Sequence, residues 1–286
     1  MKRALVLGGG GNVGIASETA VAAGLLDGGL DVRDADLIIG TSAGSVVGTH
    51  LAHGRDPRDL MNERRSPDAR PLGGTAPDMS HLAAIFGLWA SFGEMTQEHC
   101  AQVGRLALES KTMPEEQWLS GFEANAWDGW PAKPLWITAV DAESGAFKAL
   151  DRDSGIEIHR AVAASCSVPG LFPPVSIDGR RYTDGGVRSG TSADLAQRIE
   201  PDLVLLIAPM GASPSGIGRL ASNQIDAETA ALEAAGAKVR AIRFDQAAKE
   251  ASGANLMDPT HATPAAAAGE AHARRIAAEL REWWGK

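Results

Sequence analysis

One serine in this sequence stands where a serine can act as a nucleophile. Ser42 lies in the run Gly40-Thr41-Ser42-Ala43-Gly44, between a short apolar segment and a segment with helical spacing. A sharp turn of this kind strains the backbone of the serine and exposes its hydroxyl, while small neighbours keep the strand and the helix from clashing. The alternative is a structural role in which Ser42 only caps the following helix.

A serine hydroxyl reacts only when a base removes its proton, and histidine is the usual base. An α/β-hydrolase would place this histidine near the end of the chain, which selects His261 or His272. His272 shares a helical segment with Arg274 and Arg275, a pattern typical of a solvated face, whereas His261 precedes the last predicted helix. The Ser42 turn follows only the second predicted strand, which is too early for that fold. The histidines are His50, His53, His81, His99, His159, His261 and His272.

A second glycine-rich turn, residues 8–14, also follows an apolar segment and opens a predicted helix. It fits the dinucleotide-binding pattern Gly-x-Gly-x-x-Gly, with acidic residues about 20 positions further on. The same N–H groups at a helix N-terminus can instead bind an oxyanion, and a tight turn without any ligand is the third possibility. The acidic candidates are Asp31, Asp34 and Asp36.

A third turn, Asp184-Gly185-Gly186, follows a predicted hairpin and precedes a predicted helix. Asp-Gly most often marks a turn and nothing more. Together with the other two motifs, however, it adds a carboxylate that flexible backbone can bring to the Ser42 hydroxyl.

The three turns in this order, with the run Ser-Cys-Ser-Val-Pro-Gly-Leu-Phe-Pro-Pro at residues 165–174, resemble the patatin-like phospholipases over residues 5–195. The resemblance implies a three-layer α/β fold and a lipid acyl hydrolase that needs no metal or other cofactor. It assigns Ser42 as the nucleophile and Asp184 as its proton acceptor. It also assigns an oxyanion hole at Gly9, Gly10, Gly11, Asn12, Val13 and Gly14, a nucleophile elbow at Gly40, Thr41, Ala43 and Gly44, and a dyad loop at Gly185 and Gly186.

The sequence departs from that family at Val13, where members often carry a basic residue. The expected substrate is a phospholipid, a lysophospholipid or another acyl ester, from which a fatty acid is released. Two alternatives stay open: a nucleotide-binding oxidoreductase that uses the first turn, and a catalytically silent lipid-binding relative.

The elements that must position these turns form an α/β pattern. Short apolar runs alternate with helical segments, which predicts a mainly parallel central sheet with helices on both faces. We expect one domain over residues 1–286, with a helical insertion at about 55–131. The predicted strands are 4–7, 37–39, 135–140, 146–150, 175–177, 180–182, 203–208 and 238–244, and the predicted helices are 12–26, 43–51, 156–165, 191–199, 217–235 and 263–284.

Composition narrows the setting and the partners. A net charge of −9 argues against nucleic acid as a partner. Two cysteines and a short N-terminal apolar run predict a cytoplasmic protein without a disulfide framework. The oligomeric state is left open. Peripheral membrane contact stays possible, because an apolar stretch can form either a lipid-facing lip or ordinary core; its residues are Leu82, Ile85, Phe86, Leu88, Trp89 and Phe92.

Overall fold

A computed structural model describes residues 1–65, 79–125, 127–210 and 216–285. Its centre is an eight-stranded mixed sheet. Five strands run parallel and lie side by side in the order β3-β2-β1-β7-β8. The strands are β1 (Arg3–Leu7), β2 (Leu37–Gly40), β3 (Leu135–Asp141), β4 (Phe147–Leu150), β5 (Val175–Ile177), β6 (Arg180–Asp184), β7 (Leu203–Ala208) and β8 (Lys238–Arg243).

The central strands are buried on both faces, as their continuous apolar sequences predict. In β1, Leu5 and Leu7 belong to one hydrophobic cluster, whereas Ala4 and Val6 belong to another. Since side chains alternate across a strand, the two clusters lie on opposite faces of the sheet. This layering confirms the predicted α/β fold class.

Helices supply the partner surfaces of both clusters. Residues of α1, α2, α7 and α10 pack with one face, and residues of α8 pack with the other. The helices are α1 (Gly11–Asp27), α2 (Ala43–Ala52), α3 (Pro57–Arg65), α4 (Met79–Ser91), α5 (Gln97–Glu109), α6 (Glu115–Glu123), α7 (Ile158–Ser165), α8 (Gly216–Ala234), α9 (Gln246–Ser252) and α10 (Ala262–Trp284), with a 3-10 helix at Ala193–Ile199.

The predicted insertion at about 55–131 contains helices α3 to α6, and residues 66–78 lie outside the described part of the chain. The sheet carries an antiparallel edge, in which β4 and β6 pair with β3, and β5 pairs with β6. The β5-β6 pair is the hairpin that the sequence predicts before Asp184, whereas the pairing of β6 with β3 was not predicted. The short helix α9 was not predicted, because its seven residues hold too few apolar positions to show a helical period.

Helix α1 buries a carboxylic acid at its centre. Glu18 is fully buried, and neither of its carboxyl oxygens has a hydrogen-bond partner among the described residues. Burial raises the pKa of Glu18 well above its usual value, and it outweighs the opposite effect of the Gly8 backbone. Because burial penalises the charged form of a carboxyl group, folding favours the protonated form of Glu18.

We expect the substitution Glu18→Gln to stabilise the protein increasingly as the pH rises. A carboxyl group whose pKa is raised by folding must take up a proton on folding, so its contribution to stability is present below its unfolded pKa and is lost above it. The gain in free energy of unfolding should grow by up to about 1.4 kcal/mol per pH unit between pH 5 and 8. Urea denaturation at several pH values measures it. The exposed Glu233→Gln is the control, and a constant difference between Glu18→Gln and wild type across this range would contradict the prediction.

Candidate active site

Ser42 occupies a sharp turn between β2 and α2. Its backbone angles, φ 52° and ψ −118°, lie in a region that costs a non-glycine residue about 1–3 kcal/mol. Such strain persists only where the surrounding structure enforces it. Ser42 is nevertheless only 7% exposed, so the structure buries the residue that the sequence motif predicts to be exposed.

Two glycines make this turn possible. A Cβ on Gly44 would lie 2.1 Å from the carbonyl oxygen of Leu7 in β1, and a Cβ on Gly40 would lie 2.5 Å from the carbonyl oxygen of Gly44. The Gly44 N–H also donates to the Gly8 carbonyl at 3.0 Å. The elbow is therefore pressed against the end of β1, where the first glycine-rich turn begins.

The backbone of Ser42 is held from the opposite side by the end of α7. The Ser42 N–H donates to Ser165 Oγ at 2.9 Å, and the Ser42 carbonyl accepts from Ser45 Oγ at 2.6 Å and from Cys166 Sγ at 3.3 Å. Both backbone polar groups of Ser42 are therefore engaged, and these contacts fix the position from which the side chain projects.

Asp184 reaches the same place from the antiparallel edge. In the sheet register Gly40 pairs with Ile137, and Asp184 pairs with Ala139 two residues further along β3. The Asp184 N–H donates to the Ser167 carbonyl at 3.0 Å, which fixes the end of β6. The strand pairing thus places Asp184 near the elbow, two residues along β3 from the level of Gly40.

The Asp184 carboxyl group is buried and only partly satisfied. Asp184 is 3% exposed, and one carboxyl oxygen accepts the Gly186 N–H at 2.7 Å. The other oxygen has no hydrogen-bond partner of normal geometry among the described residues. Burial raises the pKa of Asp184 to about 7, although the Ser42 hydroxyl and the Gly186 N–H lower it. The Ser42 hydroxyl therefore lies beside the carboxyl group, close enough to influence its ionisation.

The first glycine-rich turn lies against Ser42, and only part of it has free donors. A Cβ built on Gly9 would lie 3.5 Å from Ser42 Cβ. The amides of Gly9, Val13 and Gly14 donate to the carbonyls of Gly190, Leu256 and Gly10. Within the described residues, the N–H groups of Gly10 and Gly11 have no acceptor. Of the six residues predicted to form the oxyanion hole, Gly9, Val13 and Gly14 thus have amides that are already engaged, whereas Gly10 and Gly11 have amides without a described acceptor; the oxyanion hole itself stays a prediction.

The histidines considered as bases are engaged elsewhere. The His261 ring bonds to the Ala251 carbonyl at 2.9 Å, and the His272 ring bonds to Asp245 at 3.0 Å. The side chain of His81 lies outside the described residues. Among the described rings, none hydrogen-bonds to Ser42 or Asp184, so the titratable group beside the Ser42 hydroxyl is the Asp184 carboxyl group.

The acidic residues required by a dinucleotide site lie at the wrong end of the sheet. Asp31, Asp34 and Asp36 all precede β2, whereas a ribose ligand would follow a strand. Asp36 instead accepts the backbone N–H of Arg3 at 2.7 Å, at the start of β1. The part of the chain that the structure describes also contains no cluster of side chains suited to a metal ion.

Comparison with known proteins identifies the family. The family model for patatin-like phospholipases matches residues 5–196, which is more than half of the sequence. This chain belongs to the patatin-like phospholipase family. Members of this family are lipid acyl hydrolases. No curated protein matches the sequence at a significant level.

Two solved structures are similar to this patatin-like chain. VipD from Legionella pneumophila is 14% identical with a TM-score of 0.49, and the alignment covers 97% of this chain and 67% of VipD. The type III effector protein ExoU is 15% identical with a TM-score of 0.44, and the alignment covers 98% of this chain and 53% of ExoU. This chain therefore spans about half the length of ExoU. The family assignment rests on the sequence match alone.

Val13 and the apolar stretch of α4, both singled out from the sequence, are largely packed within this patatin-like chain. Val13, which replaces a basic residue common in the family, is fully buried against Phe244, Ala248 and Ala265. Of the six apolar residues named in α4 and just after it, three are buried and three are partly exposed. Among the described residues, no helix combines the length and apolar character needed to cross a bilayer. The buried residues are Leu82, Ile85 and Trp89, and the partly exposed ones are Phe86, Leu88 and Phe92.

The sequence did not identify the two serines that accept hydrogen bonds from the backbone N–H groups of Ser42 and Asp184. Ser165 binds the Ser42 backbone, and Ser167 accepts the Asp184 N–H through its carbonyl. Both lie in the run at residues 165–174 that contributed to the resemblance, but nothing in the sequence shows which backbone groups they bind.

We expect Gly44→Ala to disrupt the elbow and destabilise the protein, because the added methyl group would clash with backbone atoms of Leu7 in β1. The loss should be about 3 kcal/mol or more in free energy of unfolding. Gly121→Ala in α6, where no atom lies within 4 Å of the new methyl, is the matched control and should gain up to about 1 kcal/mol. Thermal or urea denaturation compares the two variants. Equal stability of both variants would contradict the packing described for Gly44.

Proposed function

We propose that this protein is a serine-dependent lipid acyl hydrolase with a Ser42-Asp184 dyad. Asp184 accepts the proton of the Ser42 hydroxyl as Ser42 Oγ attacks the carbonyl carbon of an ester. The proton then passes from Asp184 to the oxygen of the leaving alcohol, and the acyl group remains on Ser42. A water molecule, deprotonated by Asp184, attacks the acyl carbon; the bond to Ser42 Oγ breaks, Ser42 Oγ takes the proton back from Asp184, and the fatty acid is released.

The observation that carries this proposal is the buried carboxyl group beside the strained serine. An ordinary aspartate, with a pKa near 3.9, is a weak proton acceptor. Burial raises the pKa of Asp184 to about 7, so its carboxylate is a stronger base while still being largely ionised just above neutral pH. A single carboxylate can then do the work that an imidazole does in other serine hydrolases.

The free amides of the first turn support the same chemistry. The carbonyl oxygen of the ester gains negative charge when Ser42 attacks, and preorganised N–H donors stabilise that charge. Gly10 and Gly11 lie at the start of α1, where the helix dipole also favours an anion. Such donors are worth about 3–4 kcal/mol each in the transition state.

The surroundings of the turn favour an apolar acyl chain over a charged one. Met210 Sδ would lie 3.1 Å from a Cβ on Gly9, and Met257 Sδ would lie 2.5 Å from one on Gly11. Thioether side chains are apolar and flexible, which suits chains of differing shape. We infer that the substrate is a phospholipid, a lysophospholipid or a related acyl ester.

Turnover of a short-chain nitrophenyl ester and of phospholipid vesicles tests the proposal. Ser42→Ala should lose at least about 10³-fold in kcat, and Asp184→Asn at least about 10²-fold, because each change removes a group that acts in the transition state. Ser120→Ala and Asp178→Asn, both exposed, are matched controls. Asp178 lies at the tip of the hairpin that carries Asp184.

Near wild-type rates in Ser42→Ala or Asp184→Asn would contradict the dyad. A wild-type protein that binds vesicles without hydrolysing either substrate would instead identify a silent lipid-binding relative.

A further inference from the structure

A carboxylate on α8 binds residues 189–193, a segment that contacts both the first glycine-rich turn and the elbow. Glu228 is half-buried and accepts hydrogen bonds from Ser189 Oγ at 2.6 Å, from Thr191 Oγ1, and from the Ala193 N–H at 2.8 Å. All three donors belong to residues 189–193, which follow the dyad loop. One side chain therefore fixes three points of this segment.

The same segment contacts the oxyanion turn and the elbow. The Gly190 carbonyl accepts the Gly9 N–H at 2.7 Å, and the Thr191 carbonyl accepts Thr41 Oγ1 at 3.3 Å. Thr41 precedes the nucleophile, and Gly9 precedes the free donor at Gly10. A displacement of residues 189–193 would thus move the donors and the nucleophile relative to each other.

The segment does not hold its shape by local preference alone. Ser192 has left-handed backbone angles, φ 50° and ψ 38°, which cost a residue other than glycine about 1–3 kcal/mol. Ser189 Oγ accepts the N–H groups of Thr191 and Ser192 while it donates to Glu228. The bond to Glu228 orients that hydroxyl so that its lone pairs face the two amides.

Gln224, one turn earlier on α8, binds the beginning of the same segment. Its Nε2 donates to the Arg188 carbonyl at 2.7 Å, and its Oε1 accepts the Gly190 N–H at 3.4 Å. Residues 188–193 are thus tied to one face of α8 by two side chains.

We propose that Glu228 is a positioning residue for acyl transfer, which holds residues 189–193 so that the Gly10 and Gly11 amides and Ser42 keep their relative geometry. This role rests on the proposed function. Glu228 does not touch the reacting atoms, and it acts through the Gly190 and Thr191 carbonyls. It lies 44 residues beyond the dyad aspartate, outside the residues 5–196 that match the family model.

The substitution Glu228→Gln tests this role with little change in size. Glutamine carries an NH2 group in place of one carboxylate oxygen. That NH2 group would face a donor whose hydrogen bond the carboxylate now accepts. A shift of about 1 Å in reacting groups can cost about 100-fold in rate. We expect kcat for the nitrophenyl ester to fall about 10- to 100-fold while KM stays within about twofold, since the change perturbs the transition state and leaves the surface that binds substrate intact.

Asp226→Asn, on the exposed side of α8, is the matched control, and each variant is assayed well below its own melting temperature. A wild-type kcat in folded Glu228→Gln, or an equal loss in Asp226→Asn, would overturn the proposal.

Amide hydrogen exchange gives a second readout that does not depend on hydrolysis. Because the Gly9 N–H is bonded to the Gly190 carbonyl, Glu228→Gln should exchange it at least about tenfold faster, while amides in the middle of β7 keep the wild-type rate. Unchanged Gly9 exchange would overturn the positioning role even if Ser42→Ala is inactive. Conversely, if Ser42→Ala hydrolyses normally but Gly9 exchange rises in Glu228→Gln, only the proposed function fails.

Discussion

The proposed chemistry depends on one interaction, that of the buried Asp184 carboxyl group with the Ser42 hydroxyl. One oxygen of Asp184 is held by the Gly186 amide, and the other is buried without a hydrogen-bond partner of normal geometry among the described residues. Burial makes the ionised form costly and raises the pKa to about 7. Burial therefore raises the proton affinity of this carboxylate, and the hydroxyl group beside it is that of Ser42.

The sheet brings these groups together through strand ends. The glycine turn follows β1 and the elbow follows β2, so both lie at the carboxyl edge of parallel strands, where ligands commonly bind in α/β proteins. Asp184 comes instead from an antiparallel strand, whose register against β3 sets it two residues beyond the level of Gly40. The antiparallel edge therefore brings the carboxyl group of Asp184, the proposed base, to turns that follow parallel strands.

Much of this arrangement was predictable from the sequence, because its signals are local. Continuous apolar runs identified the central strands, and glycine-rich turns identified the strand-helix junctions at residues 8–14 and 40–44. The pairing of β6 with β3 and the engagement of the Gly9 and Val13 amides were not predictable, since both depend on contacts between distant segments. The roles of Ser165 and Glu228 were hidden for the same reason. A serine that binds a backbone amide 123 positions away, or a glutamate that accepts three bonds from another loop, has no periodic or compositional signature.

The rate at which a fluorophosphonate labels the protein, measured against pH and followed by peptide mapping, tests most directly whether a carboxylate activates the serine. The account predicts a single label on Ser42, with a rate that rises as Asp184 ionises, has its midpoint near pH 7 and levels off above it. In Asp184→Asn the labelling should be slow at every pH. A label on another residue, or a rate on Ser42 that does not change between pH 5 and 8, would contradict it.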